Sequence, residues 1–595
     1  MKKSYNTIII GSGCAGYNAA DRLYRLGVRD IAIVTEGRFM GTSRNTGSDK
    51  QTYYKLSLCG GDGDSVREMA ETLYSGGGVM GEHALCEAAY SVRCFMHLVE
   101  LGVPFPTNEY GEYAGYKTDH DPRSRATSCG PLTSRYMTEA LERSVTDKGI
   151  EIIDMQRVIR ILTDNGAVSG IACASTASGE ISVIECENVI LATGGPAGIY
   201  ERTVYPESQH GATGLAIEAG ASLSNMDEWQ YGIASIGFRW NLSGTYQQVL
   251  PRYISIDSDG TQREFLYEAL GTESLSLIFL KGYQWPFDTR KADGSSSIDL
   301  LVAEETKKGR RVYLDFTQNP KGLEDGFTAL SEEAYSYLEK SDALFGTPIE
   351  RLKLMNEGAI LLYKSHGIDL YSEMLEISVC AQHCNGGVAV DENWQSDVRG
   401  LYSAGEAAGT FGVYRPGGSA LNSTQVGSLR AAEHIAKKKS EKRNAPLFTP
   451  DSINYGESNI AAIRREYQRE MSRVADFDRS TVGMQALFEK ASSLCDSFFE
   501  KATIADKSEI PELYKLYDML LTEKATLSAM LISAKIFGTH GSAMVDRKKI
   551  ECENAKIDTR IVTRGGTSEI SPISKMPNPE LWFETLLRRS REVKQ

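Results

Sequence analysis

An α/β protein, in which a parallel sheet covered by helices is split by an insertion and followed by a helical module, is the fold the sequence predicts. Three observations predict it. The first is NTIIIGSGCAGYNAADRLYRLGVRDIAIVTEG near the amino terminus: an apolar strand core, a glycine turn, an amphipathic helix and a second strand. The second is a pair of distant segments, IECENVILATGGPAGIY and LYSAGEAAG, each a short apolar strand running into a turn of small residues. The third is the carboxyl-terminal region, where apolar residues recur at helical spacing over Asn459–Val474, Met484–Lys501 and Glu512–Ile536.

Composition sets the outer limits. A chain of 595 residues, 41% apolar and 24% charged, buries sizeable cores and divides into several domains. A net charge of -14 argues against a nucleic-acid-binding surface. No apolar run reaches the roughly 18 residues of a membrane span. The start, MKKSYNTIIIGSG, reads as mature sequence because its apolar run is only three isoleucines. Eleven cysteines without a CxxC pair predict reduced thiols in a cytoplasmic protein and no cluster, haem or metal site.

The amino-terminal unit carries the clearest chemistry. Thr7–Ile10 form the strand core, and Gly11, Gly13 and Gly16 make G-x-G-x-x-G before a helix whose apolar face includes Ala19, Ala20, Leu23 and Leu26. The glycines allow the tight turn, the approach of a pyrophosphate and close helix–strand packing, and the helix start offers free amides to phosphate. Gly27 ends that helix, and Ile31–Val34 form the second strand. Glu36 follows at the spacing where a carboxylate binds a ribose. This is a Rossmann-type dinucleotide site, and its geometry alone does not separate FAD from NAD. Glu406, in the later glycine and acid turn, is placed to hold a cofactor hydroxyl.

Read in order, GSGCAG (Gly11–Gly16), ELGVPF (Glu100–Phe105), ATGG (Ala192–Gly195), HGATG (His210–Gly214), QHCNGG (Gln382–Gly387), LYSAGEAAG (Leu401–Gly409) and YRPGGSALNS (Tyr414–Ser423) give the chain a family likeness. It resembles the flavoprotein subunits of succinate dehydrogenase and fumarate reductase, and L-aspartate oxidase, over nearly its whole length. The resemblance implies a split FAD-binding domain (1–228 and 376–445), an inserted α+β capping domain (229–375) and a carboxyl-terminal helical domain with a tail (446–595). It also implies an active site between cap and flavin. Ala192, Thr193, Gly194, Ser419, Leu421 and Asn422 are expected at the cofactor. Asn45 stands where the respiratory members carry the flavin-bonded histidine, so FAD is expected to be noncovalent, with Ser43, Arg44, Asn45 and Thr46 lining its phosphates or ring.

The same resemblance assigns His383 and Arg415 to a substrate carboxylate. Two family positions are altered. Gln230–Tyr231–Gly232 replaces a carboxylate-binding histidine motif, and Ser295 or Ser296 stands where the proton-transferring arginine belongs, Arg290 holding only the first position of that pattern. Tyr231 is the expected replacement proton donor, with Arg239, Arg252 and Arg263 as alternatives. The expected function is FAD-dependent reduction of an activated C=C bond, or the reverse dehydrogenation, on an anionic or electron-poor alkene other than fumarate. Electrons would pass to or from a separate electron-transfer protein, a nicotinamide, a quinone or oxygen. The competing expectations are an amino-acid-type oxidase and a flavin-bound electron-relay or structural subunit.

Overall fold

A computed structural model describes residues 4–61, 63–324, 326–441, 444–548 and 556–592. Its central sheet has seven strands. The order runs Glu151–Ile153, Ile31–Val34, Ser4–Ile10, Ile181–Leu191, Ala167–Ser175 and Gln156–Asp164, with Leu401–Ser403 pairing off Ile181–Leu191. Pairs among the first four of these strands, and with Leu401–Ser403, are parallel; the last three strands form an antiparallel meander. Ile8, Ile9, Ile33 and Val34 have no exposed surface, as strands covered on both faces require.

The helix Cys14–Arg25 starts directly after the first strand. Gly11 has φ +108°, and a Cβ there would lie 2.4 Å from the Ala192 carbonyl oxygen. At Gly16 a Cβ would lie 1.9 Å from the Gly11 carbonyl oxygen, so only glycine lets helix and strand approach this closely. The first strand lies between Ile31–Val34 and Ile181–Leu191, where the chain order reverses; the crevice beyond the strand ends there is where such sheets bind nucleotides.

The insertion builds a six-stranded antiparallel sheet ordered Trp240–Asn241, Trp229–Ser235, Leu375–Cys384, Arg311–Asp315, Arg252–Ile256 and Gln262–Arg263. Glu273–Lys281, Ser297–Lys307, Glu332–Lys340 and Pro348–Ser365 are its longer helices, so this unit is α+β. The 375/376 division expected from sequence falls at the start of a cap strand, and that strand delivers Gln382 and His383 to the cofactor side.

The expected terminal helices are Ile460–Val474, Thr481–Asp496 and Ile510–Ile536. The tail beyond them contains a hairpin, Thr559–Arg564 with Thr567–Pro572. It adds to Leu223–Ser224, which in turn pairs with Gly387–Val388. A buried ionic cluster ties the tail down further. Lys556 Nζ lies 2.6 Å from Asp227 and 2.7 Å from Glu228, whose Oε1 is also 3.0 Å from His540. Asp227, Glu228 and His540 have metal-ligand spacing, but both carboxylates are already paired with the Lys556 ammonium. Among the described residues no helix is long and apolar enough to cross a membrane.

Candidate active site

A cavity of about 1540 Å³ runs from the amino-terminal glycine turn to the underside of the cap. Gly11, Gly13, Glu36, Ser43, Ala192, Thr193 and Gly194 line one end. Gly16 lies behind this wall, between helix and strand. Ser43 Oγ accepts the Cys14 amide at 3.3 Å, and Thr46, also on the wall, donates its hydroxyl to the Val204 carbonyl at 2.8 Å. The two residues between them turn away. Arg44 pairs with Glu142 at 2.5 Å, and Asn45 is exposed, its amide closing the turn onto the Phe39 and Gly41 carbonyls.

Glu36 has two partners that the sequence did not reveal. Arg157 Nη1 is 2.5 Å from one carboxylate oxygen and Lys515 Nζ 3.0 Å from the other. Burial works to raise the Glu36 pKa, but these two cations outweigh it and hold the carboxyl below its ordinary range. Lys515 arrives from the long terminal helix, so the Glu36 end of the cavity is closed by the last part of the chain.

The other end is built by the loop before the helix Ser419–Lys437. Gly417, Gly418, Ala420, Leu421 and Thr424 face the cavity. Ser419 and Asn422 face the protein: the Ser419 hydroxyl donates to the Pro416 carbonyl at 2.8 Å, and Asn422 Nδ2 to the Glu87 carbonyl at 3.0 Å. Glu406 lines the cavity, accepts the Cys384 amide at 2.8 Å and the Tyr205 hydroxyl, and is pushed up to about 7 by burial.

Arg415 is the site's distinctive charge. It lines the cavity and makes no ion pair among the described residues. Its nearest polar partner is Ser419 Oγ at 3.5 Å, its buried Nε has none, and burial pushes the guanidinium down to about 10. Glu406 and Glu87 act on it from beyond ion-pair distance, and a buried guanidinium with no carboxylate in contact favours an incoming anion.

His383 also lines the cavity, and its tautomer follows from Asn385. The Asn385 Nδ2 donates to the Gly412 and Val413 carbonyls at 2.8 and 3.3 Å, which turns its Oδ1 towards His383 Nδ1 at 3.0 Å. Nδ1 therefore carries the proton of the neutral ring. Nε2, 3.9 Å from Glu406, is buried without a hydrogen-bond partner. Burial and the Arg415 charge hold the imidazole well below its ordinary pKa. In this state His383 presents no N–H to a carboxylate, so the positive charge comes from Arg415.

Tyr231 is turned out of the cavity. It is 1% exposed, with its hydroxyl 3.0 Å from that of Tyr200 and 3.2 Å from the Ala475 carbonyl. A register shift between Gln230 and Tyr231 puts Gln230 on the cavity wall instead. Ser295 and Ser296 are buried away from the wall, bonded to Gln284 and to the Asp288 amide. Arg239 and Arg252 are held by the Tyr205 carbonyl and by Asp315, and with Arg263 they stand off the cavity lining. The ionisable groups on the lining near the cap edge include His120, Arg290 and Lys291, with Lys50, Asp119 and Glu333 beside them. Arg290 stacks 3.5 Å over the Tyr414 ring and is held by Asp288, and Lys291 pairs with Asp119 at 2.5 Å. A spacing argument had no means of finding His120, which stands in a positive-φ turn.

The donor set suits FAD. The glycine turn leaves room for a pyrophosphate at a helix start, and the cavity continues under the cap far enough for a ring system and a second molecule. No histidine occupies the Asn45 position, and the asparagine there points outward.

One buried acid beside this site gives a stability test. Glu87 accepts the Ser423 hydroxyl at 2.7 Å and is pushed up to about 7 by burial, from an ordinary 4.5. The folded state thus holds a proton that the unfolded chain releases. Stability from this group is full below about pH 4.5 and falls as pH rises towards 7, by roughly 3 kcal/mol. Glu87→Gln is expected to flatten that part of the unfolding free energy measured against pH. An unchanged slope would show that Glu87 ionises normally.

The FAD binding domain family profile matches residues 6–421. One component of the CoM/CoB fumarate reductase of Methanothermobacter marburgensis is 27% identical, over 90% of this chain and 93% of that one. L-aspartate oxidase of Agrobacterium fabrum is 26% identical, over 79% of this chain and 81% of its own. Among solved structures, Mycobacterium smegmatis Sdh1 superposes with a TM-score of 0.74 at 17% identity, covering 99% of this chain and 98% of its own. E. coli quinol fumarate reductase FrdA gives 0.71 at 19%, covering 98% of each. At these identities the structures speak for a shared fold.

Proposed function

Because the chain belongs to the FAD binding domain family, we propose that it is a noncovalent FAD oxidoreductase acting on the C=C or CH–CH bond of a substrate whose carboxylate, or other electron-withdrawing oxygen, is held by Arg415. The single observation that carries this reading is the guanidinium on the cavity wall with no anionic partner among the described residues. Bound FAD supplies the hydride half of the chemistry at its ring.

The protein supplies orientation and the proton half. Arg415 fixes the carboxylate and draws charge towards it as the adjacent carbon is reduced, an effect that grows in the water-poor cavity. We assign the proton to His120. Its Nδ1 is 3.4 Å from Arg290 Nη2, which only donates, so the neutral ring carries its proton on Nε2. Asp119, Asp288, Lys291 and Arg290 surround it, and burial is the main cause that holds its pKa below 6.5. The proton given up is that of the imidazolium, which leaves the neutral ring behind, so reduction is expected to slow as pH rises through the His120 pKa, which lies under 6.5. His120→Asn should lower the rate by about a hundredfold or more and remove that limb. A retained limb in the variant would move the proton to another group.

The test of the whole reading is anaerobic. The flavin is reduced chemically and offered unsaturated acids and enones, with reoxidation followed by absorbance. Reoxidation by an activated alkene and by no saturated analogue supports the assignment. No response to any alkene, with peroxide formed from an amino acid in air, would favour the oxidase reading instead. That arm is motivated by the similarity to L-aspartate oxidase.

A further inference from the structure

The cap side of the cavity differs in character from the Arg415 side. Four aromatic side chains line it: Tyr116, Tyr283, Trp285 and Tyr337. Each polar tip is already engaged within the wall. Tyr116 shares its hydroxyl with Thr52 at 2.6 Å, Tyr283 donates to Glu333, Tyr337 donates to Gln248 at 3.1 Å, and the Trp285 indole N–H donates to Gln382 Oε1 at 2.9 Å. What remains to face a ligand is ring carbon.

Trp285 is a built platform. Its ring lies so close to the strand Trp229–Ser235 that a Cβ at Gly232 would be 2.4 Å from Cζ2, and only glycine admits it. Gln382 Oε1 fixes its orientation, accepting from Asn241 as well. The indole is therefore held in one pose with a surface on the cavity. At about 1540 Å³ the space exceeds the ~300–1,000 Å³ that a single drug-sized ligand needs, so a second ring system fits beside a dinucleotide.

We infer that this chamber is the subsite for an aromatic ring on the substrate, making the ligand an aryl-substituted unsaturated carboxylate with its carboxylate on Arg415 and its ring against Trp285 and Tyr337. This rests on the reading of Arg415 given above and narrows it to a substrate class. Offset and edge-on ring contacts together with burial of the ring surface favour such an acid over a short aliphatic one by about tenfold.

The experiment is a binding titration on oxidised holoprotein, where no electrons are available for turnover and the flavin spectrum reports occupancy. Cinnamate is compared with crotonate and fumarate, in the unaltered protein and in Trp285→Leu, Trp285→Phe, Tyr337→Leu and Arg415→Ala. Cinnamate is expected to bind at least about tenfold more tightly than crotonate. Trp285→Leu should bring that ratio near one, Trp285→Phe should keep most of it, and Arg415→Ala should weaken both acids together. Equal affinity for the two acids in the unaltered protein, with both still needing Arg415, overturns the aromatic subsite and leaves the Arg415 reading standing. So does a ratio that Trp285→Leu leaves intact. If Trp285→Leu fails to fold with flavin, the ratios in Trp285→Phe and Tyr337→Leu decide, an unchanged ratio in Tyr337→Leu counting against the subsite. If neither acid binds and no alkene reoxidises the reduced flavin, the Arg415 reading falls and the subsite with it.

Discussion

Arg415→Ala holoprotein, reduced chemically without air, is expected to be reoxidised by its best unsaturated acid about a thousandfold more slowly than the unaltered protein. The guanidinium has no ion pair to lose among the described residues, so removing it deletes ligand binding and charge stabilisation without breaking an internal salt bridge. Thermal stability should stay level or rise, because an unpaired charge leaves a poorly hydrated wall. Arg415→Lys should restore only part of the rate, since an ammonium lacks the flat fork that grips two carboxylate oxygens. Stopped-flow reoxidation and a melting curve on the same preparations check both halves. An unaffected rate sinks the assignment, and a large loss of stability would make Arg415 a structural residue instead.

Lys556→Met is expected to cost about 3–5 kcal/mol of unfolding free energy, a large loss for one side chain. The Lys556 ammonium is 4% exposed and sits between Asp227 and Glu228, which are themselves buried. Without it two carboxylates remain in the interior, with the His540 ring beside Glu228 and the buried Arg479 guanidinium on the Asp227 carbonyl. Methionine keeps most of the volume, so the loss reports charge and not packing. Burial raises the Glu228 pKa, but Lys556 and His540 outweigh it and hold the carboxyl far below its ordinary range. That contribution is present above an unfolded carboxylate's pKa and disappears as pH falls through the folded value. The variant should therefore lose the acid-side slope as well as the plateau, measured by urea unfolding between neutral and acid pH. A loss under about 1 kcal/mol would show that the tail is held by the hairpin alone.

How far the site was legible depends on which residues are considered. Gly11, Gly13, Gly16 and Glu36 could be placed from local pattern, because a tight turn, a close helix approach and a strand end are decided within a few residues. Arg44 and Asn45 sat in the correct segment but face Glu142 and the Phe39 carbonyl, a difference set by a single turn of helix at Thr42–Asn45. Tyr231 illustrates the harder case. Alternation along a strand tells which residues share a face, but the irregularity at Gln230/Tyr231 exchanges the faces, and no local signal announces it. His120 and Trp285 could not be placed on the cavity wall from sequence for a related reason: a turn residue and an aromatic in a loop carry no motif until another segment folds over them.

By itself the sequence determined that a dinucleotide site opens this chain, that the nucleotide domain is interrupted, and that the last long stretch of the chain is helical. Those follow from sterics and periodicity acting over short spans. Only the tertiary structure decided that Lys515 pairs with Glu36, that the terminal hairpin completes a sheet begun at Leu223–Ser224, that His383 is a neutral Nδ1–H ring, and that Trp285 forms a wall against Gly232. Each of these depends on the meeting of segments far apart in the chain. Burial and the neighbours it brings, not residue type alone, then set charge, tautomer and the face a side chain presents.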